Sequence, residues 1–251
     1  MRLAVASAKG SPGVTTLVQA LATASRQRSL LVAELDDAGG DLASRLGLGV
    51  EPGVVSLAAA ARRHVTDAFI EDHAQEWAGH RLLVAPPSGS AAAAAARIIA
   101  EPLAVAHADV VADCGRLNAE APALAFGRRA DAVLLVLRTG GEDVAHGHGC
   151  VEMLHQHGIQ PLLVIAGSRT TTRRSYSGSE IAAALRCELI GTVPFDRRAA
   201  DAFSGARVAP AAMLTRSSLV RAAAGLWRDL GARFNNPTAS RPARRVEATA
   251  S

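Results

Sequence analysis

The sequence predicts an α/β protein: a mostly parallel, open sheet of about seven strands with helices on both faces. Short apolar segments alternate with longer helical segments along most of the chain, as in parallel sheets joined by crossover helices. A glycine-rich turn separates the first predicted strand from the first predicted helix. Because ligands of such sheets bind at the carboxyl ends of the strands, we expect functional residues just after the strands.

The predicted strands are runs of valine, leucine, isoleucine and alanine. They are apolar throughout, as expected for strands that are covered on both faces. The seven segments are Leu3–Ser7, Leu30–Leu35, Leu82–Ala85, Val110–Asp113, Ala132–Leu137, Leu162–Ala166 and Leu189–Val193.

Helical segments separate these strands. They are predicted at Thr15–Arg26, Ser90–His107, Ala119–Arg129, Glu142–His157, Ser179–Arg186 and Arg216–Phe234, with a further helical insert within residues 50–80. Residues 1–234 are predicted to form one domain. Residues 235–251 have almost no large apolar side chain, so a disordered basic tail is expected there.

Composition excludes several classes of protein. The chain has 251 residues, of which 49% are hydrophobic, and no apolar run long enough for a membrane span is evident. The opening residues do not resemble a secretion signal, and the three cysteines lack metal-site spacing, so a cytoplasmic protein is expected. The formal net charge of +4 is modest for a dedicated nucleic-acid-binding protein.

The stretch AKGSPGVTTL, residues 8–17, is a candidate phosphate-binding loop. Gly10 and Gly13 allow a tight turn whose amides face an anion, and the following helix adds the positive end of its dipole. Thr15 stands where a hydroxyl would bind Mg²⁺. The remaining candidate binding residues of the loop are Ser11, Val14 and Thr16. Lys9 is the only lysine among 27 basic residues, which suggests that a compact ammonium is required there.

The residues KGSPGVTT resemble the deviant Walker A loop of the ParA/MinD superfamily of P-loop NTPases, whose pattern is KGGxGK[ST]. The resemblance implies that Lys9 is the signature lysine that reaches across a dimer to the partner's nucleotide, a catalytic role. Ser11 replaces a glycine of the pattern. Val14 replaces the lysine that binds the β- and γ-phosphates.

Later segments resemble the same superfamily in the same order. In SLLVAELDDAGGDL, Asp36 falls where the family places the aspartate that orients the attacking water and lies near the metal, and Glu34 replaces the preceding aspartate. In VVADCG, Asp113 corresponds to the aspartate near Mg²⁺. LIGTVPFD places Pro194 in the turn that approaches the base.

One family feature is absent from the sequence. After the strand Leu162–Ala166 the family usually has an asparagine that binds adenine, and here the run is VIAGSR. Ala166 and Gly167 stand where that side chain would be. The resemblance therefore leaves recognition of the base unassigned.

The resemblance implies two alternative functions. The first is a switch that binds ATP and Mg²⁺, dimerises around the nucleotide, and acts in partitioning or spatial positioning of a chromosome, plasmid, septum or secretion or pilus machinery. The second is a pseudo-ATPase adaptor of the same fold that dimerises and binds partners without hydrolysing ATP, which the replacement at Val14 favours. A dinucleotide oxidoreductase has only Glu34 in its favour, because the first turn lacks GxGxxG.

Partners are expected at the C-terminal end as well as across the dimer. A protein partner is expected, and the helix Arg216–Phe234 has an apolar stripe that either packs on the sheet or lies on an anionic membrane. The arginines of the tail offer a weak contact with DNA or acidic lipid. We expect the histidines of the segment 146–157 to be solvated rather than metal ligands.

Overall fold

The protein is described here from a computed structural model, which covers residues 1–10, 12–25, 30–61, 66–167 and 175–234. Its centre is an eight-stranded sheet with the strand order β3-β4-β2-β5-β1-β6-β7-β8. The strands are β1 Arg2–Ser7, β2 Leu31–Glu34, β3 Gln75–Trp77, β4 His80–Leu83, β5 Val110–Arg116, β6 Ala132–Leu137, β7 Leu162–Ala166 and β8 Glu188–Val193.

Eleven helices are found among the described residues. They are α1 Val14–Ala24, α2 Leu42–Leu46, α3 Val54–Ala60, α4 Asp67–His73, α5 Gly89–Val105, α6 Ala123–Gly127, α7 Gly141–Gln156, α8 Gly178–Leu185, α9 Arg197–Phe203, α10 Ala211–Thr215 and α11 Ser218–Phe234. The predicted α/β class and the helices on both faces are confirmed.

The sheet has one strand more than the sequence predicts. β3 pairs antiparallel with β4, whereas the other strand pairs are parallel. Residues 78 and 79 form the two-residue connection, and both have positive φ, as a tight hairpin turn requires. β3 lies at the sheet edge and contains Gln75 and Glu76, so it lacks the apolar run that marks the interior strands. The helical insert predicted within residues 50–80 therefore contains α3 and α4 but ends in a hairpin.

The core consists of two layers, one on each face of the sheet. Leu3 and Val5 of β1 pack in the layer that contains α1 and α11, whereas Ala4 and Ala6 pack in the layer beneath α5, α6 and α7. This alternation follows from the two-residue repeat of a strand. It places α1 on one defined face of the sheet, directly behind the end of β1.

The apolar stripe of α11 is used for packing inside the domain. Leu219, Leu226 and Leu230 are buried, and the helix contacts α1 and β8. The indole Nε1 of Trp227 donates a 2.8 Å hydrogen bond to the backbone carbonyl of Leu21 in α1. Of the two alternatives for this helix, the structure therefore shows packing on the domain, and the stripe is not available to a membrane in this arrangement.

Further findings concern membrane-spanning helices, the cysteines and metal-ligating side chains. No described helix is long and apolar enough to cross a membrane. Cys114, Cys150 and Cys187 are all unpaired. Among the described residues, which include the histidines of α7, no group of three or more metal-ligating side chains gathers in one place. The predicted basic tail lies outside the described residues and stays a prediction.

Candidate functional site

Strand order brings three loops to one edge of the sheet. β5 pairs with both β1 and β2 in parallel, so the segments after these three strands start from the same carboxyl edge. The candidate phosphate loop follows β1, Asp36 follows β2, and Asp113, the middle residue of β5, lies opposite Glu34 at the end of β2. Three segments far apart in the sequence therefore meet at one place because parallel strands all end on the same side.

The start of α1 offers backbone amides to an anion. Gly13 is the residue before the helix, and its φ of +100° is a left-handed conformation that favours glycine. No described side chain caps the helix, and its first turn contains no acidic residue. The first amides of a helix lack partners within the helix, so this end can bind a negatively charged group. Ser11 lies outside the described residues.

The position that lacks the expected lysine is part of the hydrophobic core. Val14 is 6% exposed and belongs to the same core layer as Leu17 and Val18 of α1. Thr15 and Thr16, the next two residues, are half-buried. The loop therefore keeps its hydroxyls but carries a buried apolar side chain in place of a cation.

Lys9 is paired within its own chain. Its Nζ lies 2.5 Å from Oε2 of Glu142, in the first turn of α7. Lys9 is 38% exposed and Glu142 is 82% exposed. The hydrogen bond and the charge of Lys9 lower the pKa of Glu142. Lys9 therefore joins the loop after β1 to the helix after β6.

Asp113 is a buried carboxyl group. It is 2% exposed, and its Oδ1 accepts a 3.1 Å hydrogen bond from the amide of Gly115. Burial, and to a smaller extent the charge of Asp36, raises the pKa of Asp113 to about 6. The Thr15 hydroxyl and the Gly115 amide oppose the shift. A cation placed beside Asp113 would relieve this cost of burying a charge.

Asp36 packs directly against β5. Its Oδ1 accepts a 2.9 Å hydrogen bond from the amide of Ala38. A Cβ atom added at Gly115 would lie 1.8 Å from Oδ2 of Asp36, so only glycine leaves room for this carboxyl group. Burial is the main cause of a raised pKa at Asp36. The close packing brings Asp36 beside Asp113 near the phosphate loop.

Glu34 organises the backbone around this edge. Its Oε1 accepts 2.8 Å hydrogen bonds from the amides of Asp41 and Leu42, and its Oε2 accepts one of 2.8 Å from Ala85. Burial raises the pKa of Glu34 to about 7, although the three amides oppose the shift. Because both carboxylate oxygens bind backbone amides, Glu34 is a structural residue that fixes the segment containing Asp36.

The donor set at this edge fits Mg²⁺. Magnesium in phosphate-binding sites is held by one or two carboxylates together with substrate phosphates and water. Asp36 and Asp113 supply two neighbouring carboxyl groups, both with raised pKa, and Thr15 supplies a hydroxyl. Arg45 lowers the pKa of Asp113 through its charge but forms its ion pair with Asp41, at 2.7 Å. A divalent cation would thus add the positive charge that the carboxyl pair lacks.

Pro194 lies at the same carboxyl edge of the sheet but is separated from the phosphate loop along the strand order. β6 and β7 separate β1 from β8, the strand that Pro194 follows. A Cβ atom on Gly167 would lie 2.6 Å from the amide nitrogen of Phe195, so the segments after β7 and β8 touch. Beyond them, a cavity of about 640 Å³ opens between α9, α10 and α11, and its lining includes Asp196 and Arg216.

Comparison with solved structures identifies the fold. A ParA family ATPase from Chlorobium tepidum TLS superposes with a TM-score of 0.68 at 15% identity, over 89% of this chain and 96% of that one. The septum site-determining protein MinD from Pyrococcus horikoshii OT3, complexed with Mg-ADP, gives 0.68 at 18% identity over 90% and 93%. An ATP complex of a McdA variant from Cyanothece gives 0.65 at 16% identity over 92% and 96%.

The chain has the ParA/MinD fold. No protein-family model matches the sequence, and no curated protein matches it in sequence. The similarity is therefore one of fold, and the candidate phosphate loop departs from the superfamily's pattern at Ser11 and Val14.

Three features of this ParA/MinD fold were not predicted from the sequence. They are the pairing of Lys9 with Glu142, the close approach of Asp36 to Gly115, and the three amides bound by Glu34. The signal for Glu142 was its place in the first turn after a predicted strand. That position indicates a contact with Lys9 only when β6 is known to be the neighbour of β1.

Proposed function

We propose that this protein is a nucleotide-binding switch with a ParA/MinD fold, which binds a nucleoside di- or triphosphate with Mg²⁺ and acts in spatial positioning inside the cytoplasm. One observation carries the proposal: the uncapped start of α1 and the carboxyl groups of Asp36 and Asp113 share one edge of the sheet. The phosphates would bind the amides after Gly10 and Gly13. Thr15, Asp36 and Asp113 would hold the metal.

The residues of the site would have distinct roles in hydrolysis. Bound magnesium would neutralise phosphate charge, which is the main requirement for phosphoryl transfer. Asp36 would orient the attacking water. Asp113 would bind the metal. Lys9 would exchange Glu142 for a phosphate of a second subunit in a homodimer.

A second candidate function follows from one observation. Because Val14 is buried in the core, the loop lacks the cation that usually contacts the β- and γ-phosphates. Losing one charge-assisted contact costs about 1.5–3 kcal/mol, which weakens binding about ten- to a hundredfold. Hydrolysis also depends on a positive charge at the β- and γ-phosphates. A pseudo-ATPase that binds nucleotide weakly and serves as a dimeric adaptor for a protein partner is therefore the alternative.

Thermal unfolding with added nucleotide tests the proposal. A ligand at one hundred times its dissociation constant stabilises the native state by about 2.7 kcal/mol, so Mg-ATP or Mg-ADP should raise the melting temperature by several degrees. Thr15→Val removes the metal-binding hydroxyl and should reduce the shift. Thr23→Val, in the last turn of the same helix, is the matched control and should keep it. The absence of a shift in the unaltered protein with either nucleotide would contradict the proposal.

Phosphate release separates the two candidate functions. A switch should release phosphate from ATP, and Asp36→Asn should abolish that release while the thermal shift remains. If ATP binds and no phosphate appears above the Asp36→Asn background, the adaptor is the correct function. Contacts of the arginines of the C-terminal helix and tail with DNA or acidic lipid belong to the same proposal and would be weakened by salt.

A further inference from the structure

The phosphate loop lacks a free cation of its own. Val14 is buried in the core layer under α1, and the ammonium group of Lys9 is paired with Glu142. A polyphosphate at the start of α1 would therefore meet amides and a metal, but no positively charged side chain from the loop. If nucleotide binds a single subunit here, a side chain from outside the loop has to supply that charge.

The strand next to the loop ends in an arginine. β6 pairs in parallel with β1, and the register places Val136 opposite Ser7. Continuing this register by two residues places Arg138 opposite Lys9. Arg138 is half-buried and is the first residue after β6. It therefore leaves the sheet at the same edge and the same level as the phosphate loop.

The alternation of side chains assigns Arg138 to the α1 face of the sheet. Val136 belongs to the core layer that contains Val14 and Leu17, whereas Leu137 belongs to the opposite layer. Because successive side chains of a strand point to opposite faces, Arg138 falls on the same face as Val136. The phosphate loop lies on that face too, since it leads directly into α1.

The connection after β6 also contacts the loop directly. Glu142 lies four residues beyond Arg138 and forms the 2.5 Å contact with Lys9. Arg138 is thus placed between the end of β6 and a residue that touches the loop. Extended by two residues past the last strand pair, the register and the alternation put Arg138 at the level of the phosphate loop, on the face of the sheet that carries α1.

We propose that Arg138 is a phosphate-binding residue that supplies the positive charge missing at Val14. The inference rests on the proposed function and names a specific contact within it. A guanidinium group forms paired hydrogen bonds with phosphate oxygens and stays charged at every relevant pH. The ligand class is a nucleoside di- or triphosphate, whose terminal phosphates Arg138 would hold against the amides of the loop.

Calorimetric titration tests this contact. Mg-ATP, Mg-ADP and adenosine are titrated into the unaltered protein, Arg138→Gln, Arg138→Lys and the control Arg97→Gln. Arg97 is an exposed arginine of α5, on the opposite face of the sheet. Arg138→Gln should weaken the binding of both phosphorylated ligands about ten- to a hundredfold, as the loss of a charge-assisted contact does, and should not change the affinity for adenosine. Arg138→Lys should recover part of the loss, and Arg97→Gln should have no effect.

An exchange of charge between the two positions gives a stricter test. Val14→Lys introduced into Arg138→Gln should restore affinity for Mg-ATP, because it returns a cation to the loop. Since Val14 is buried, the double variant is first checked by circular dichroism and thermal unfolding. If it does not fold, the recovery by Arg138→Lys takes its place as the rescue.

The outcomes separate this inference from the proposed function. Unchanged affinity of Arg138→Gln for both phosphorylated ligands would overturn the role of Arg138 and leave nucleotide binding intact. Equal weakening for adenosine and Mg-ATP would show a structural role and would also overturn it. If the unaltered protein binds neither Mg-ATP nor Mg-ADP, the proposed function and this inference both fail.

Discussion

Asp113 shows how a single side chain can work against the stability of the fold. Its charge lies in the interior, its neighbour Asp36 is also acidic, and the structure gives it one backbone hydrogen bond from Gly115. An isolated buried charge is costly, and proteins retain such groups mainly where a ligand or metal compensates for them. The arrangement is therefore better suited to binding a cation than to stabilising the chain alone.

Stability should depend on pH through Asp113. Its pKa rises from 3.8 to about 6 on folding, so its contribution is complete below about pH 4 and is lost as pH rises through 6. A shift of this size corresponds to roughly 3 kcal/mol at neutral pH. Asp113→Asn should therefore be more stable than the unaltered protein at pH 7.5, by up to that amount, and about equal to it at pH 4.

Urea unfolding at a series of pH values measures this difference. Glu120→Gln, an exposed carboxyl group in the connection after β5, is the matched control and should leave the pH dependence unchanged. A constant difference between Asp113→Asn and the unaltered protein from pH 4 to 7.5 would show that Asp113 does not titrate as its burial implies. Glu34 should also lower the stability of the fold as pH rises from about 4.5 to 7, since its pKa is raised from 4.5 to about 7.

Helix α7 is linked to the phosphate loop by one exposed ion pair. In the proposed homodimer, the contact of Lys9 with a second subunit would compete with its ion pair to Glu142. Glu142→Gln should let Mg-ATP drive dimerisation at a protein concentration a few-fold lower, a small change because exposed ion pairs are weak. Analytical ultracentrifugation over a concentration series would measure it, with Glu152→Gln of the same helix as the control. Weaker dimerisation in Glu142→Gln would instead place Glu142 in the dimer contact.

The interior elements could be predicted from the sequence because their apolar runs are continuous. β1, β6 and β7 coincide with the predicted strands to within one residue, since each is covered on both faces. β3 was missed because an edge strand with one short pairing needs no apolar run. Helix α6 was predicted over Ala119–Arg129 but is only five residues long, Ala123–Gly127, because the preceding residues form turns.

The candidate site was predictable only in part. The loop residues and the aspartates follow local patterns, so their positions near strand ends could be read from the sequence. The contacts between Lys9 and Glu142, and between Asp36 and Gly115, depend on which strands are neighbours. Strand order is set by the packing of the whole sheet, and no single segment encodes it.

On the scale of the whole molecule, the proposed homodimer depends on Lys9. Lys9→Ala should abolish dimerisation with Mg-ATP while the unfolding temperature stays within about a degree, because an exposed ion pair contributes little to stability. Lys9→Arg keeps the charge and serves as the comparison. Light scattering with and without nucleotide would give the molar mass. A Lys9→Ala protein that still forms a nucleotide-dependent dimer would exclude a contact between Lys9 and a second subunit.

The hydrogen bond between Trp227 and Leu21 connects residues 206 positions apart. Helix α1 packs on the sheet and is covered on its outer side by α11, so the apolar residues on that outer side remain exposed until the last helix has been synthesised and folded back. A growing chain on the ribosome would complete most of the sheet before the helix behind the phosphate loop is held in place. The capacity to bind an anion should then be acquired at the end of folding, and a protein shortened before residue 218 should lose it.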